Sequence, residues 1–167
     1  MSTKFHHLVN LPALPEAIIR EGLNSKFEYV EFPVTYSASS RLFKNSNFYK
    51  LLLDQFGLPH VAFLKNSPMS WYNWHMDKGR SCAINWVIKS NPKAMTLFRD
   101  THDWQAIHEI EEVDYVLHCP TILDTTHRHC VINNGLEDRI ILTVGVNEIH
   151  SYKEVNEFLQ SLIIKEY

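Results

Sequence analysis

The spacing of apolar residues changes about one third of the way along the chain, from a helical period to a strand period. In the first third, apolar residues recur three or four positions apart in segments 14–23 and 45–59. Pro15 suits the first helical position of the first segment, and Gly22 suits its end. The pattern predicts helices within an N-terminal helical extension, residues 1–59.

Beyond residue 59, short runs rich in β-branched and aromatic residues alternate with turn signals. The runs lie at 61–67, 81–88, 93–100, 111–118, 120–126, 129–133 and 139–146. The turn signals between them contain proline or glycine: Ser67-Pro68, Lys78-Gly79, Asn91-Pro92, Cys119-Pro120 and Asn134-Gly135. Strands this close together, without helices between them, predict an antiparallel sandwich or barrel over residues 60–147.

The end of the chain returns to a helical period. Ser151 and Glu154 have the spacing of a capping box, and apolar residues follow them three or four apart. This pattern predicts a C-terminal helix over residues 151–165.

At 167 residues, without repeats or low-complexity linkers, the chain is most simply one domain, in which helices from both ends flank a β core.

Composition and charge narrow the class of protein. The formal net charge is −3 and no long Lys/Arg run is present, which argues against a nucleic-acid partner. No apolar stretch approaches the ~20 residues of a membrane span, and the N-terminus lacks a secretory signal pattern, so no membrane association is expected. The 3 cysteines are widely spaced, which argues against a disulfide framework and favours a reducing cytoplasm. The oligomeric state stays open.

The stretch WYNWHMDKGRSCAINWVI, residues 71–88, places a histidine and an aspartate two apart among tryptophans. If these residues lie in a strand, His75 and Asp77 point the same way. Because a buried carboxylate needs a partner, the pair is either an exposed ion pair at a strand end or part of a binding site. A third ligand would complete a two-histidine, one-carboxylate metal site, the arrangement typical of non-haem Fe(II) oxygenases. Either His127 or His129 has the residue type to supply it.

Arg139 opens the apolar run 139–146, ten residues after His129. A guanidinium that heads into a core needs an anionic partner, because burying an unpaired charge is costly. A salt bridge to the neighbouring Glu137 or Asp138 would provide one. A bound dicarboxylate would also provide one, through two parallel hydrogen bonds.

Taken in order, these residues resemble the Fe(II)/2-oxoglutarate-dependent dioxygenase superfamily over roughly residues 60–147. The motif consists of His75-x-Asp77, His129-x-Val131-x-Asn133 and Arg139. The resemblance implies a mainly β fold, the double-stranded β-helix, which is a jelly-roll or cupin-like barrel, here with flanking N- and C-terminal helices. It also implies Fe(II) as the cofactor, with 2-oxoglutarate and O2 as cosubstrates.

By the same resemblance, His75, Asp77 and His129 are the iron ligands. Arg139 would then hold the far carboxylate of 2-oxoglutarate. His129 is preferred to His127 because it carries the H-x-V-x-N context and the family-like step of ten residues to the arginine.

The motif departs from the family pattern at one position. Many members have a serine or threonine two residues after the arginine, where this chain has Ile141. Thr143 is a candidate for the missing hydroxyl, because it lies four residues after the arginine on the same strand face. Asn85 and Arg80 are further candidates for cosubstrate binding, although Arg80 is expected in a solvated turn beside Gly79.

Trp74, Trp86 and His127 are candidates for a substrate pocket, although buried aromatic residues usually fill a core.

The resemblance implies an enzyme that hydroxylates an unactivated C–H bond of an amino acid, a small metabolite or a protein side chain. Two other classes stay open: a cupin-type metal-binding protein without 2-oxoglutarate turnover, and a metal-free jelly-roll binding module. Arg139 distinguishes the dioxygenase from the cupin-type protein, because a simple cupin needs no buried carboxylate anchor. The metal content distinguishes the dioxygenase from the metal-free binding module.

Overall fold

The chain consists mainly of β-strands, with short helices towards both ends. A computed structural model describes residues 5–9, 11, 13–31, 34–37, 40–57, 59–100 and 109–162. The strands are β1 His6–Leu8, β2 Glu28–Glu31, β3 Val34–Ser37, β4 His60–Asn66, β5 Ser70–His75, β6 Arg80–Lys89, β7 Ala94–Arg99, β8 Ile110–Glu112, β9 Pro120–Asp124, β10 Arg128–Asn133 and β11 Arg139–Asn147. The helices are α1 Glu16–Leu23, α2 Arg41–Lys44, α3 Asn47–Phe56 and α4 Tyr152–Ser161.

The strands form two antiparallel sheets. The larger sheet has the order β1-β9-β6-β11-β4-β3-β2, and the smaller sheet has the order β5-β10-β7-β8. From β4 to β11 the chain passes back and forth between the two sheets, which is the jelly-roll arrangement. The predicted mainly β jelly roll with flanking helices is confirmed.

Strand β11 shows how the sequence separates the two faces of the larger sheet. Leu142 and Val144 lie in the apolar core beneath the helices, whereas Arg139 and Thr143 line a cavity on the opposite face. Successive side chains of a strand point to opposite faces, so the alternation of polar and apolar residues sets this division. The polar residues consequently face the space between the two sheets.

Helices α1 and α4 pack on the outer face of the larger sheet, against β6, β9 and β11. Gly22 lies inside α1 rather than at its end, and Pro15 is the residue that precedes the helix rather than its first residue. A Cβ at Gly22 would meet Ile88 Cδ1 at 2.6 Å and Phe63 Cε1 at 2.8 Å. The glycine therefore allows the helix to approach the sheet closely.

Helix α4 begins as the sequence predicts. The Ser151 hydroxyl accepts a hydrogen bond from the Glu154 backbone N–H, and the Glu154 carboxylate accepts one from the Ser151 backbone N–H, so the capping box is confirmed. The described helix ends at Ser161, and residues 163–165 of the predicted helix lie outside the described part. Among the described helices, none has the length and apolar composition needed to cross a membrane.

The N-terminal third contains strands as well as helices, which corrects the prediction of a helical extension. Strand β1 pairs with β9, and β3 pairs with both β2 and β4, so all three strands extend the larger sheet. The partner of β1 lies far away in the chain, and a short local pattern cannot reveal that pairing, whereas β2 and β3 are neighbours in the sequence. Strand β5 was also absent from the predicted runs, and the predicted run 111–118 is a strand only up to Glu112.

Candidate metal centre

Three potential metal ligands meet where β5 and β10 pair. His129 lies opposite His75 in the register of the two strands, and Asp77 follows His75 by two residues. One donor atom from each of these residues lies within 4.8 Å of the other two. His75 Nε2 is 3.8 Å from Asp77 Oδ1, and His129 Nε2 is 3.9 Å from Asp77 Oδ2. The cluster offers the donor set of a two-histidine, one-carboxylate metal site.

A β-bulge in β5 brings His75 onto the inner face of the smaller sheet. Between the pairs His129–His75 and Val131–Tyr72, β10 has a single intervening residue and β5 has a pair of them. The extra residue reverses the alternation, so Tyr72 and His75 both face inwards although they are three positions apart. Bulges re-aim side chains in this way beside functional sites.

Both imidazoles are oriented by a hydrogen bond at Nδ1. His75 Nδ1 lies 2.7 Å from the Asn73 carbonyl oxygen, and His129 Nδ1 lies 3.0 Å from the His127 carbonyl oxygen. A carbonyl oxygen only accepts, so Nδ1 carries the proton, and in the neutral form of each ring this tautomer leaves the Nε2 lone pair free. Asn73 also stabilises the bulge, because its Oδ1 accepts a hydrogen bond from the Trp74 backbone N–H at 2.7 Å. Contacts of this kind fix the orientation of metal-binding histidines.

Burial keeps His129 neutral, and the charges around the cluster keep Asp77 ionised. Burial acts to raise the pKa of Asp77, but the charge and hydrogen bond of the Arg80 guanidinium, together with the charges of His129 and His75, outweigh it, so the pKa is lowered. Burial lowers the pKa of His129 to about 4, and the nearby His75 acts in the same direction. A carboxylate and a neutral imidazole are the forms that bind a metal ion.

Asp77 lies beyond the end of β5, which corrects the prediction that it shares a strand with His75. Its backbone N–H donates to the Thr125 carbonyl oxygen at 3.2 Å. Its Oδ2 accepts a hydrogen bond from Arg80 Nε at 2.7 Å. Arg80 is the first residue of β6, paired with Asp77, and does not lie in a solvated turn as predicted. Because the Asp77 side chain is only 11% exposed, the pair with His75 is not a surface ion pair.

The predicted acid anchor, Arg139, is buried between the two sheets. It is 1% exposed. Its Nη2 donates to Thr96 Oγ1 at 3.1 Å, and its Cζ lies 5.1 Å from the centroid of the Tyr115 ring. A neutral hydroxyl and an aromatic ring therefore surround the guanidinium.

The carboxylates next to Arg139 in the sequence do not neutralise it. Glu137 Oε2 lies 3.0 Å from Lys89 Nζ, and Asp138 Oδ2 lies 3.8 Å from Lys65 Nζ. Within the described ranges, Arg139 forms no ion pair. An unpaired buried charge is costly, so this position fits an anionic ligand.

The three potential metal ligands and Arg139 line the same cavity, which encloses about 610 Å³ of empty space including its opening. The predicted cosubstrate residues Asn85, Thr143 and Arg80 also line it, as does Ile141. Asn85 Oδ1 is buried and accepts no hydrogen bond from the residues that the structure describes. The cavity therefore offers polar groups at both a metal-binding end and a cationic end.

The three residues predicted for a substrate pocket lie outside the lining of this cavity. Trp86 is fully buried on the opposite face of β6, in the core beneath the helices, so its predicted role is corrected. Trp74 turns outwards at the bulge, and its ring lies 4.8 Å from Arg99 Cζ. His127 Nδ1 lies 3.2 Å from Asp124 Oδ2, and its backbone carbonyl orients a ligand histidine instead.

Sequence reasoning missed residues whose role depends on a distant strand. Thr96 and Phe98 lie on the inner face of β7, where Thr96 bonds Arg139 and the Phe98 ring stacks 5.2 Å from the His129 ring. Alternation along β7 indicates that these two share a face. It does not indicate which residues they meet, and the same holds for Tyr115.

No protein-family model matches the sequence, and no curated protein sequence matches it. Solved structures do match. An oxidoreductase of the 2OG-Fe(II) oxygenase family from Burkholderia pseudomallei has a TM-score of 0.57 and 12% identity, over 78% of this chain and 76% of that chain. A Pseudomonas putida prolyl-4-hydroxylase has a TM-score of 0.58 and 14% identity, over 85% of this chain and 90% of that chain. Vicilin from hazelnut, Corylus avellana, has a TM-score of 0.50 and 12% identity, over 75% of this chain and 32% of that chain.

The chain has the cupin-like jelly-roll fold. At identities this low, the likeness establishes the fold alone, and the fold is shared by an oxygenase-family protein, a prolyl-4-hydroxylase and a vicilin. A fold hosts many functions, so the function has to be argued from the residues of the site.

Proposed function

We propose that this protein is an Fe(II)- and 2-oxoglutarate-dependent oxygenase. The observation that carries the proposal is the buried Arg139, which has no anionic partner among the described residues and lines the same cavity as the three potential metal ligands. A metal-binding protein without an acid cosubstrate has no need for a buried, unpaired guanidinium. The names of two structurally similar proteins, a 2OG-Fe(II) oxygenase family member and a prolyl-4-hydroxylase, agree with this proposal.

In this proposal His75, Asp77 and His129 hold Fe(II), since their donors are a carboxylate and two imidazoles with free Nε2 atoms. With a 2-oxo acid, bound Fe(II) supplies the activation of O2 that oxidises an unactivated C–H bond. Arg139 provides the paired N–H donors that suit a carboxylate. Thr96 holds this guanidinium in place through the hydrogen bond at Nη2.

Other polar side chains would complete the recognition of the acid. Asn85 and Thr143 line the cavity on neighbouring strands, in register with each other. Thr143 thus supplies a hydroxyl on the inner face of β11, while Ile141 adds an apolar contact. The oxidised substrate is a free amino acid, a small metabolite or a protein side chain.

The test is anaerobic titration of the protein with Fe(II) and then with 2-oxoglutarate, followed by measurement of succinate after admission of air. We expect metal-dependent binding of 2-oxoglutarate and slow succinate release even without a substrate. Arg139→Ala should weaken 2-oxoglutarate binding by about 2–5 kcal/mol, as for loss of a buried charged contact. The matched control is Arg20→Ala, because Arg20 lies exposed on α1 and far from the cavity lining.

Two results would contradict the proposal in different ways. If the metal binds but 2-oxoglutarate neither binds nor yields succinate, the protein is a metal-binding cupin. If no divalent metal binds, and His75→Ala and Asp77→Ala behave as the parent protein, the chain is a metal-free binding module.

A further inference from the structure

Arg80 makes a close contact with one oxygen of the metal-binding carboxylate. Its Nε donates to Asp77 Oδ2 at 2.7 Å, and the two side chains are 25% and 11% exposed. The other oxygen, Asp77 Oδ1, lies 3.8 Å from His75 Nε2 and accepts no hydrogen bond from the residues that the structure describes, whereas Oδ2 lies 3.9 Å from His129 Nε2 but already accepts the Arg80 hydrogen bond. The two carboxylate oxygens thus have different surroundings before any metal binds.

Gly145 leaves space for the Arg80 side chain. This glycine lies on the inner face of β11, and a Cβ there would meet Arg80 Cδ at 2.8 Å and Nη1 at 3.2 Å. Its backbone φ is not in the left-handed region, unlike that of Gly57 and Gly79, so conformational freedom does not explain the residue. What glycine provides at this position is room for the arginine.

We propose that Arg80 is a positioning residue of the metal centre, which occupies Asp77 Oδ2 and thereby directs Oδ1 alone to the metal. This inference rests on the proposed metal site. A carboxylate that binds through a single oxygen uses one coordination position, whereas binding through both oxygens would use two. With His75 and His129 in place, the arrangement leaves three positions of an octahedral ion for other ligands.

If Arg80 served only to neutralise the charge of Asp77, its removal would change the metal affinity in the opposite direction. If the arginine only neutralises a buried carboxylate, its removal frees that carboxylate and takes a positive charge away from the metal ion. Metal affinity would then stay unchanged or rise. If the arginine positions the carboxylate, its removal lowers metal affinity, because groups that hold a metal ligand in place typically contribute about 10–100-fold.

The experiment is calorimetric titration of the protein with Co(II), comparing the parent with Arg80→Gln, Arg80→Lys and Gly145→Ala. We expect affinity to fall about 10–100-fold in Arg80→Gln and to fall less in Arg80→Lys, which keeps the charge. Gly145→Ala should also weaken binding, since it displaces the arginine without removing a charge. Arg20→Gln is the matched control, because it removes an exposed arginine that pairs with Glu16.

A second measurement separates positioning from a general loss of structure. The visible absorption of bound Co(II) depends on coordination number, so it should change in Arg80→Gln and Gly145→Ala and stay constant in Arg20→Gln. Equal or tighter Co(II) binding by Arg80→Gln, with an unchanged spectrum, would overturn the inference. If Arg80→Gln does not fold, the Co(II) affinities and visible spectra of Arg80→Lys and Gly145→Ala test the inference in its place. If the parent protein itself binds no Co(II), the proposed function fails instead.

Discussion

Replacing Arg139 by methionine should stabilise the protein when no ligand is present and destabilise it relative to the parent when metal and acid are bound. Methionine keeps an unbranched side chain and removes the guanidinium. In the ligand-free protein, the guanidinium has a hydrogen bond to Thr96 at 3.1 Å and a contact with the Tyr115 ring at 5.1 Å. No carboxylate among the described residues offsets its burial.

The magnitude follows from these contacts. A hydrogen bond from a charged donor contributes about 1.5–3 kcal/mol, and a desolvated cation–ring contact contributes about 2 kcal/mol. Burial of the ion opposes both, and apolar replacement of buried ionic groups is often neutral or stabilising by about 1–4 kcal/mol. Methionine leaves the Thr96 hydroxyl without its arginine partner, which costs about 1 kcal/mol. We therefore expect Arg139→Met to raise the free energy of unfolding by about 1–2 kcal/mol.

The assay is urea denaturation of Arg139→Met, the parent and Arg20→Met, first without ligands and then with Co(II) and 2-oxoglutarate under anaerobic conditions. An acid at 100 times its Kd adds about 2.7 kcal/mol to the parent, which exceeds the expected gain of the variant. The order of stability should therefore reverse when both ligands are present. Arg20→Met should follow the parent in both conditions, because Arg20 is exposed.

One result would refute this reasoning. If Arg139→Met loses more than about 1 kcal/mol without ligands, at an unchanged denaturant slope, then Thr96 and Tyr115 satisfy the arginine and its burial no longer indicates an acid site.

Two further variants test the choice of ligand and the packing of α1. His129→Ala should abolish Co(II) binding and His127→Ala should retain it, because only His129 directs Nε2 into the cluster; calorimetry that gives the reverse order would contradict the assignment. Gly22→Ala should lower the free energy of unfolding by about 1–2 kcal/mol in urea denaturation, since a Cβ would overpack Phe63 and Ile88 and outweigh the higher helix propensity of alanine. A more stable Gly22→Ala protein would show that the helix shifts at little cost.

The features that the sequence predicted correctly are local ones. The capping box at Ser151 and Glu154 needs only the order of four residues. The two-residue period of a strand is enough to predict that Arg139 and Thr143 lie on the same face of β11, whichever strands lie beside it. The same period shows why Asn85 and Trp86 could not both face the cavity, since they are adjacent in β6.

The features that the sequence did not reveal depend on pairing between distant segments. Alternation along β5 would set His75 on the face opposite to Tyr72, and only the bulge opposite β10 restores it to the inner face. The pairing of Arg80 with Asp77 depends on the space left by Gly145, which lies 65 residues after the arginine. No local period contains this information, because it is set by which strands lie side by side.

The charged residues that line the cavity give a physical reason why the proposed metal ion and the proposed acid would bind together. Arg80 offsets the charge of Asp77, and Arg139 has no counterpart among the described residues, so the lining carries a net positive charge when both imidazoles are neutral. A divalent metal ion alone adds two positive charges to a poorly solvated space, and an acid alone meets only the arginine. A dianion bound between them cancels the charge that the metal brings. In a low-dielectric cavity this compensation is strong. Under the proposed function we therefore expect the metal to raise the affinity for the acid, and because coupling between sites is reciprocal, we expect the acid to raise the affinity for the metal by the same factor.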